Sequence, residues 1–263
     1  MAYSHDRARE RLPKASDLLA DRLRRQVLGE GLPEGTPLPS ESELVEQWQF
    51  SRATVREALR LLETDGLIRI KRGPGGGITV GRPDPSHITR SLALLLSLDQ
   101  APLQDLFAFR KLVEPAAAQL AAKHAGDEQK ALMAKIAEGS DGTGEMRASD
   151  RVDFHLLIAE ASGNELLRVV HVAVQDVVRW HADEERLTAT DLAEVDRAHR
   201  AIARHILAGE GDEARGVMLR HLDRFELRMR ERGRLDKPII PREWWQEGSL
   251  PHGPRAGTAR AAR

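Results

Sequence analysis

The sequence predicts a mainly α chain in two parts: a small unit of three helices closed by a β-hairpin, then a longer all-helical bundle. Two observations carry that prediction. Apolar residues recur at helical spacing from Ser16 to Leu62, but after Asp65-Gly66 the period shortens to two in "LIRIK", and "ITV" returns beyond the glycine-rich "RGPGGG". From Ile88 to about Leu235 no alternating pattern occurs; amphipathic segments follow one another, broken at "HAGDE", "EGSDGTGE", "SGNE" and "AGEGDE".

Taken in order, Leu18, Leu19, Leu23, Val27 and Leu28 of "SDLLADRLRRQVL" define a first helix that "GEGLPEG" ends. Ser40 with Glu43 three residues on is a capping-box pattern, which opens a short helix burying Leu44, Val45 and Trp48. Ser51 is the expected N-cap of a third helix, where Val55, Ala58, Leu59 and Leu62 form the apolar stripe. At about 100° per residue, Ala53, Arg56 and Arg60 fall on the opposite arc, and Arg52 lies in the exposed first turn. Three helices and a hairpin in this order make a winged helix-turn-helix. The Pro-rich "GRPDPS" marks a boundary. The expected division is a flexible N-terminus (1–13), the winged unit (14–81), a linker (82–87), a helical domain for sensing and dimerisation (88–235), and a Pro/Gly/Arg-rich tail (236–263) whose Trp244 and Trp245 could dock on the helical body.

Charge supports a division of labour. The chain has a net charge of −1, yet between Arg52 and Arg82 seven basic residues face three acidic ones. Between residues 86 and 235, 21 basic residues face 25 acidic ones. A basic patch on an otherwise acidic chain suits a polyanion-binding module. Zero cysteines exclude disulfides and Cys-based zinc sites. No apolar run approaches the roughly 18 residues needed to cross a bilayer, and the polar start lacks a signal-peptide core, so a cytoplasmic protein without membrane contact is expected. Aromatics are only 4%, so the cores must be aliphatic.

A helix starting at Ser51 presents Arg52, Ala53, Thr54 and Arg56 as a recognition helix presents its first turns to the major groove. Arginine can bond guanine O6 and N7 together or grip phosphate, Thr54 could contact phosphate, and Ala53 a thymine methyl. Lys71 and Arg72, before the glycine tip, suit a wing along the DNA backbone. Solvated surface helices also carry arginines, but the caps, the hairpin and the charge patch together favour double-stranded DNA.

The stretch "LPSESELVEQWQFSRATVREALRLLETDGLIRIKRGPGGGITV" resembles the DNA-binding domain of GntR-family bacterial transcription regulators, with "LPSESEL", "SRATVREAL" and "DGLI" the densest matches. Within the FadR-like branch, the resemblance implies DNA contacts at Ser42, Arg52, Ala53, Thr54, Arg56 and Gly75. Ser42 stands where members commonly carry arginine, which implies an altered base contact.

In the second part, polar residues interrupt apolar faces. Arg110 and Glu114, spaced i, i+4, lie within the stripe of Leu103, Leu106, Phe107, Val113, Ala117 and Ala121. His199 sits among Val195, Ile202, Ala203 and Ile206; His221 among Ala214, Val217, Met218 and Phe225; His155 on an arc with Val152, Ala159 and Ser162. A single such histidine is ordinarily a satisfied core residue. Three on separate inward faces need pairing or coordination, and a divalent cation such as zinc or nickel prefers converging imidazoles. An inward arginine could clamp a carboxylate.

"FRKLVEPAAAQLAA", "FHLLIAEASGN", "AHRAI" and "MLRHL" resemble the FCD effector domain of FadR-like regulators. The resemblance implies metal binding by His155, His199 and His221, and a small organic acid as effector, with Arg110, Glu114, Arg151 and Asn164 as ligand-site candidates. Members add an aspartate four residues before the first histidine; here Arg151 holds that position and Asp150 is adjacent. Without metal, Arg151 and Arg110 could bind a carboxylate directly. The reading that results is a homodimeric operator-binding regulator, a repressor released by a small acid, and no enzyme. Its rivals are a three-histidine metal-dependent hydrolase and a ligand-free architectural DNA binder.

Overall fold

The computed structural model describes residues 13–73, 75–83, 86–138, 148–184 and 188–246, with the side chains at 86–87, 148–152, 176, 179–184 and 246 outside that set. Residues 1–12 of the expected flexible N-terminus, the end of the tail, Pro74 of the wing tip and the side chains of Asp150 and Arg151 therefore lie outside the described residues. The chain divides into two compact units, with the break after Asp84, inside the Pro-rich linker.

The first unit holds α1 (Ala15–Gly29), β1 (Pro37–Leu38), α2 (Glu41–Trp48), α3 (Arg52–Thr64), β2 (Ile68–Lys71) and β3 (Gly77–Val80). Ser40 closes the capping box: its hydroxyl accepts from Glu43 N, and the Glu43 carboxylate accepts from Ser40 N at 2.7 Å. Gln49, at φ 56°, ends α2 in the left-handed region, and two residues later Ser51 accepts from Thr54 N to start α3. That tight turn fixes α3 against α2 and α1. Val55, Ala58, Leu59 and Leu62 join Leu19, Leu23, Val27 and Leu44 in one aliphatic core. Leu18 and Leu28, read from spacing as part of that face, are exposed instead; Ala20 fills the stripe. Beyond the expected hairpin, β1 adds a third strand in the order β1-β3-β2, with Leu38 opposite Ile78 and Ile70 on its other side.

The second unit is helical: α4 (Ser86–Leu98), α5 (Leu103–His124), α6 (Asp127–Glu138), α7 (Ala148–Ala161), α8 (Glu165–Glu184), α9 (Ala189–Leu207), α10 (Gly211–Glu231) and a short α11 (Glu243–Gln246). Helix α5 is central, packed by α7, α9 and α10. One core gathers Ala117, Ala121, Phe154, Ile158, Ile202 and Met218; another joins Leu103, Phe107, Val177, Met229 and Ile240. Pro102 gives α5 no side-chain cap. Its opening amides instead donate to the returning chain, Leu103 N to Lys237 O at 2.8 Å and Gln104 N to Leu235 O at 3.0 Å, while Ile239 N donates to Ala101 O at 2.7 Å. Helix starts leave such donors orphaned unless something accepts from them. The stretch around residues 235–244 is therefore part of the body. Trp244 is buried in it, and Trp245 stays partly exposed.

Candidate functional site

Two groups of side chains stand out, one in each unit. On the first unit, Arg52, Ala53, Arg56 and Arg60 are exposed along one side of α3, opposite its buried stripe. Thr54 is half-buried, and its hydroxyl lies 2.8 Å from that of Ser51, so it tightens the cap at the helix start. Ser42 is exposed on α2, with its hydroxyl 3.2 Å from Ser40 Oγ. Arg56 Nε lies 3.5 Å from Glu41 on α2, and Arg69 is paired with Glu34 at 2.9 Å. Arg52, Lys71 and Arg72 are exposed, with no ion pair among the described residues. The wing turn depends on glycine: Gly73 has φ 99° and Gly75 φ 74°, and a Cβ on Gly76 would lie 2.2 Å from the Lys71 carbonyl oxygen.

In the second unit, α7, α9 and α10 bring His155, His199 and His221 together, all buried, with one ring nitrogen from each within 4.8 Å of the others. The Nε2 atoms of His199 and His221 are 3.3 Å apart. Two nitrogens bound to one tetrahedral zinc at the usual bond length would be separated by about 3.3 Å, so this pair already has the spacing of a shared ion. Phe154 stacks on His199 with ring centroids 4.4 Å apart and fixes its plane.

Behind His155 stands a buried ion pair on α5. Arg110 Nε donates to Glu114 Oε1 at 2.6 Å, and His155 Nδ1 to Glu114 Oε2 at 2.7 Å. An ionised carboxylate can only accept, so Nδ1 carries the proton and Nε2 is turned over to the cluster. Burial would raise the Glu114 carboxyl, but the charge of Arg110 and the hydrogen bond from His155 hold it well below the usual range. Burial also pushes His221 down to about 3, helped by the charge of Arg110, so its imidazole is neutral, as a metal ligand must be.

Arg110 thus points its Nε and Nη2 at Glu114. Asn164 is exposed, and its side-chain oxygen accepts from Leu167 N, so it caps α8 at the surface. Three buried polar residues escaped the reading of stripes. His171 on α8 lies parallel to His155 with centroids 6.5 Å apart, and burial lowers it to about 4. Gln175 donates to Asp153 at 2.9 Å. Asp196 sits one turn before His199 on the same face. In α8, His171 and Gln175 fall in line with Arg168 at i, i+3, i+7, the pattern of a solvent-facing stripe, so nothing marked them as buried; for Asp196 the spacing to His199 was the available signal.

The family model described as bacterial regulatory proteins, gntR family, matches residues 15–80, and the FCD domain model matches residues 105–224. An Escherichia coli K12 regulatory protein named for the L-lactate dehydrogenase operon is 32% identical over 218 residues, covering 80% of this chain and 84% of that one. The transcriptional repressor NanR of Escherichia coli K12 is 32% identical over 223 residues, covering 80% and 82%. Among solved structures, Streptococcus agalactiae GntR superposes with a TM-score of 0.55 at 24% identity, over 81% of this chain and 99% of that one, a likeness of fold.

Proposed function

Because the chain belongs to the GntR family and joins that family's DNA-binding domain to an FCD domain, we propose that it is a homodimeric repressor released from its operator by a small organic acid. The DNA-binding half of that reading rests on α3. Its capped start offers Arg52, Ala53 and Arg56 outward, while Lys71, Arg72 and Gly75 stand exposed on the wing. The helix start would read base edges in the major groove and the wing would hold phosphate. Ser42 would touch the same duplex from α2. NanR, 32% identical, is named as a repressor, which supports the sign of regulation. Exposed Leu94, Leu95 and Leu98 on α4 supply apolar surface for a second copy.

The effector half rests on the 3.3 Å approach of two imidazole nitrogens within a buried three-histidine cluster. His155, His199 and His221 would hold a divalent ion such as zinc or nickel, and a bound ion would supply a Lewis-acidic centre for a carboxylate. The chain's own contribution is orientation: Glu114 fixes the His155 tautomer, Arg110 fixes Glu114, and Phe154 fixes His199. Arg110, Glu114, Arg151 and Asn164 remain ligand-site candidates, Arg110 and Glu114 through this orienting pair. An effector releases DNA only by binding the DNA-incompetent state more tightly.

Mobility shift on the coding sequence's own upstream DNA tests the whole. Arg56→Ala is expected to weaken binding by about 1–3 kcal/mol. His199→Ala is expected to keep DNA binding, lose bound metal by elemental analysis, and lose release by acid. Release of His199→Ala and wild type at the same acid concentration would sink the sensing half.

A further inference from the structure

A second feature of the helical unit lies beside the histidine cluster. Between α9 and α10 opens a pocket of about 260 Å³. Its hydrocarbon lining comes from Val195 and Ala198 on α9 and Val217 and Phe225 on α10, and His221 forms part of its wall. His221 thereby belongs both to this pocket and, through Nε2, to the pair with His199.

The charge around this pocket is one-sided. Arg197, Arg220, Arg224 and Arg228 line it against the single acid Glu194. Arg228 is engaged, its Nε with Asp191 at 2.8 Å and its Nη2 with Glu194 at 3.1 Å. Arg224 reaches the same Glu194 only at 3.9 Å and is 71% exposed. Arg197 and Arg220 are exposed and have no ion pair among the described residues. The neighbouring acids of α10 do not offset them, because Asp223 and Glu226 turn to Lys111 on α5, at 3.3 and 2.5 Å. Helix α10 therefore separates its charges, with acids toward α5 and arginines toward the pocket. Arg220 and Arg224, at i, i+4, repel each other mildly along the helix. Arginines on a convex face would be plain solvated surface. Here they rim a concavity floored by hydrocarbon, with fork-shaped donors matched to carboxylate or phosphate oxygens.

We propose that this pocket binds a small organic polyanion, a carbon skeleton carrying two or more carboxylate or phosphate groups. Its body lies against Val217, Ala198 and Phe225, and its anionic groups engage Arg197, Arg220 and Arg224. The volume, slightly under the roughly 300–1,000 Å³ of drug-sized sites, suits a metabolite. Contact with the His221 wall places the occupant next to the cluster. The inference rests on the reading of the FCD domain as an effector domain, and adds the location of the site and the charge class of what enters it.

Titration calorimetry on the full chain at constant ionic strength tests this with three probes: tricarballylate, 3-phosphoglycerate and butyrate. At least one polyanion is expected to bind tenfold or more tightly than butyrate, and which one does so separates carboxylate from phosphate recognition. The double variant Arg220→Gln/Arg224→Gln should lose that tenfold preference while keeping the wild-type melting temperature. Ala198→Phe, which fills the floor and leaves every arginine in place, should abolish polyanion binding. Equal binding of all three probes, no binding of any, or an undiminished preference in either variant overturns the proposal. Mobility shift of the wild type on its upstream DNA separates the two readings: failure there strikes the regulator assignment, whereas DNA binding with no polyanion preference strikes the pocket alone.

Discussion

Glu114 is the side chain whose neighbours depend on it most. Arg110 and His155 both donate to it, and all three are buried. Glu114→Gln keeps the shape and removes the charge. It leaves Arg110 without a counter-ion inside the bundle, a change that typically costs about 3–5 kcal/mol. It also frees the His155 ring to take the wrong tautomer. The expected result is a lower melting temperature and zinc affinity reduced about 10–100-fold, read by competition with a chromophoric chelator; unchanged zinc affinity would remove Glu114 from the cluster's support. His155, His199 and His221 were legible because each interrupts an otherwise clean apolar stripe. His171 was not, because it falls in line with Arg168 and Gln175 on α8, as a solvent-facing polar stripe would. The partnership of Arg110 with Glu114 was visible only as spacing. That its donors serve Glu114 depends on α7 delivering His155 to the same carboxylate.

At the scale of elements, caps decide two of the helices that matter. Thr188 and Asp191 form a capping box at the start of α9, and the Asp191 carboxylate also pairs with Arg228 and Arg232 of the α10 end. The backbone hydrogen bond from Thr188, followed by the Thr188 hydroxyl and those two arginines, holds Asp191 below its ordinary pKa of 3.8. Its unfolded form takes up protons first, so the stability it contributes is intact above pH 3.8 and is lost as pH falls through the lower folded value. Asp191→Asn is expected to lower the melting temperature at neutral pH and to flatten its decline on acidification; equal acid sensitivity in variant and wild type would contradict this. Ser40→Ala should cost about 1 kcal/mol by loosening α2, measured by denaturant unfolding. The capping-box pattern at Ser40 and the stripe of α3 could be read directly. Strand β1 could not: two residues, one of them proline, carry no period, and only the pairing with β3 makes them a strand.

For the molecule as a whole, two compact units carry separable chemistry, one exposing arginine and lysine and the other burying histidine. That partition was legible because the period of the apolar pattern and the sign of the charge both change near the proline-rich segment. The reach of the second unit was not, because Leu235, Ile239 and Ile240 enter the core from a stretch with no helical or strand period, held to α5 by backbone hydrogen bonds. DNA binding should be strongly salt-dependent, and Lys71→Ala should weaken it almost uniformly across sequences. Removing one cation from one phosphate should lower the slope of log affinity against log salt by about 1. Arg52→Ala, by contrast, should change which operator variants are preferred. A Lys71→Ala slope equal to that of the wild type would take the wing off the duplex.

The capping of α5 by its distant downstream partner has a practical outcome. The matched FCD region stops at residue 224, yet the acceptors for Leu103 N and Gln104 N come from Lys237 and Leu235. An expression length trimmed to the family boundary would strip that lining from the first turn of the central helix and uncover the grease beneath Trp244. Such a fragment should precipitate where one ending after Gln246 stays in solution.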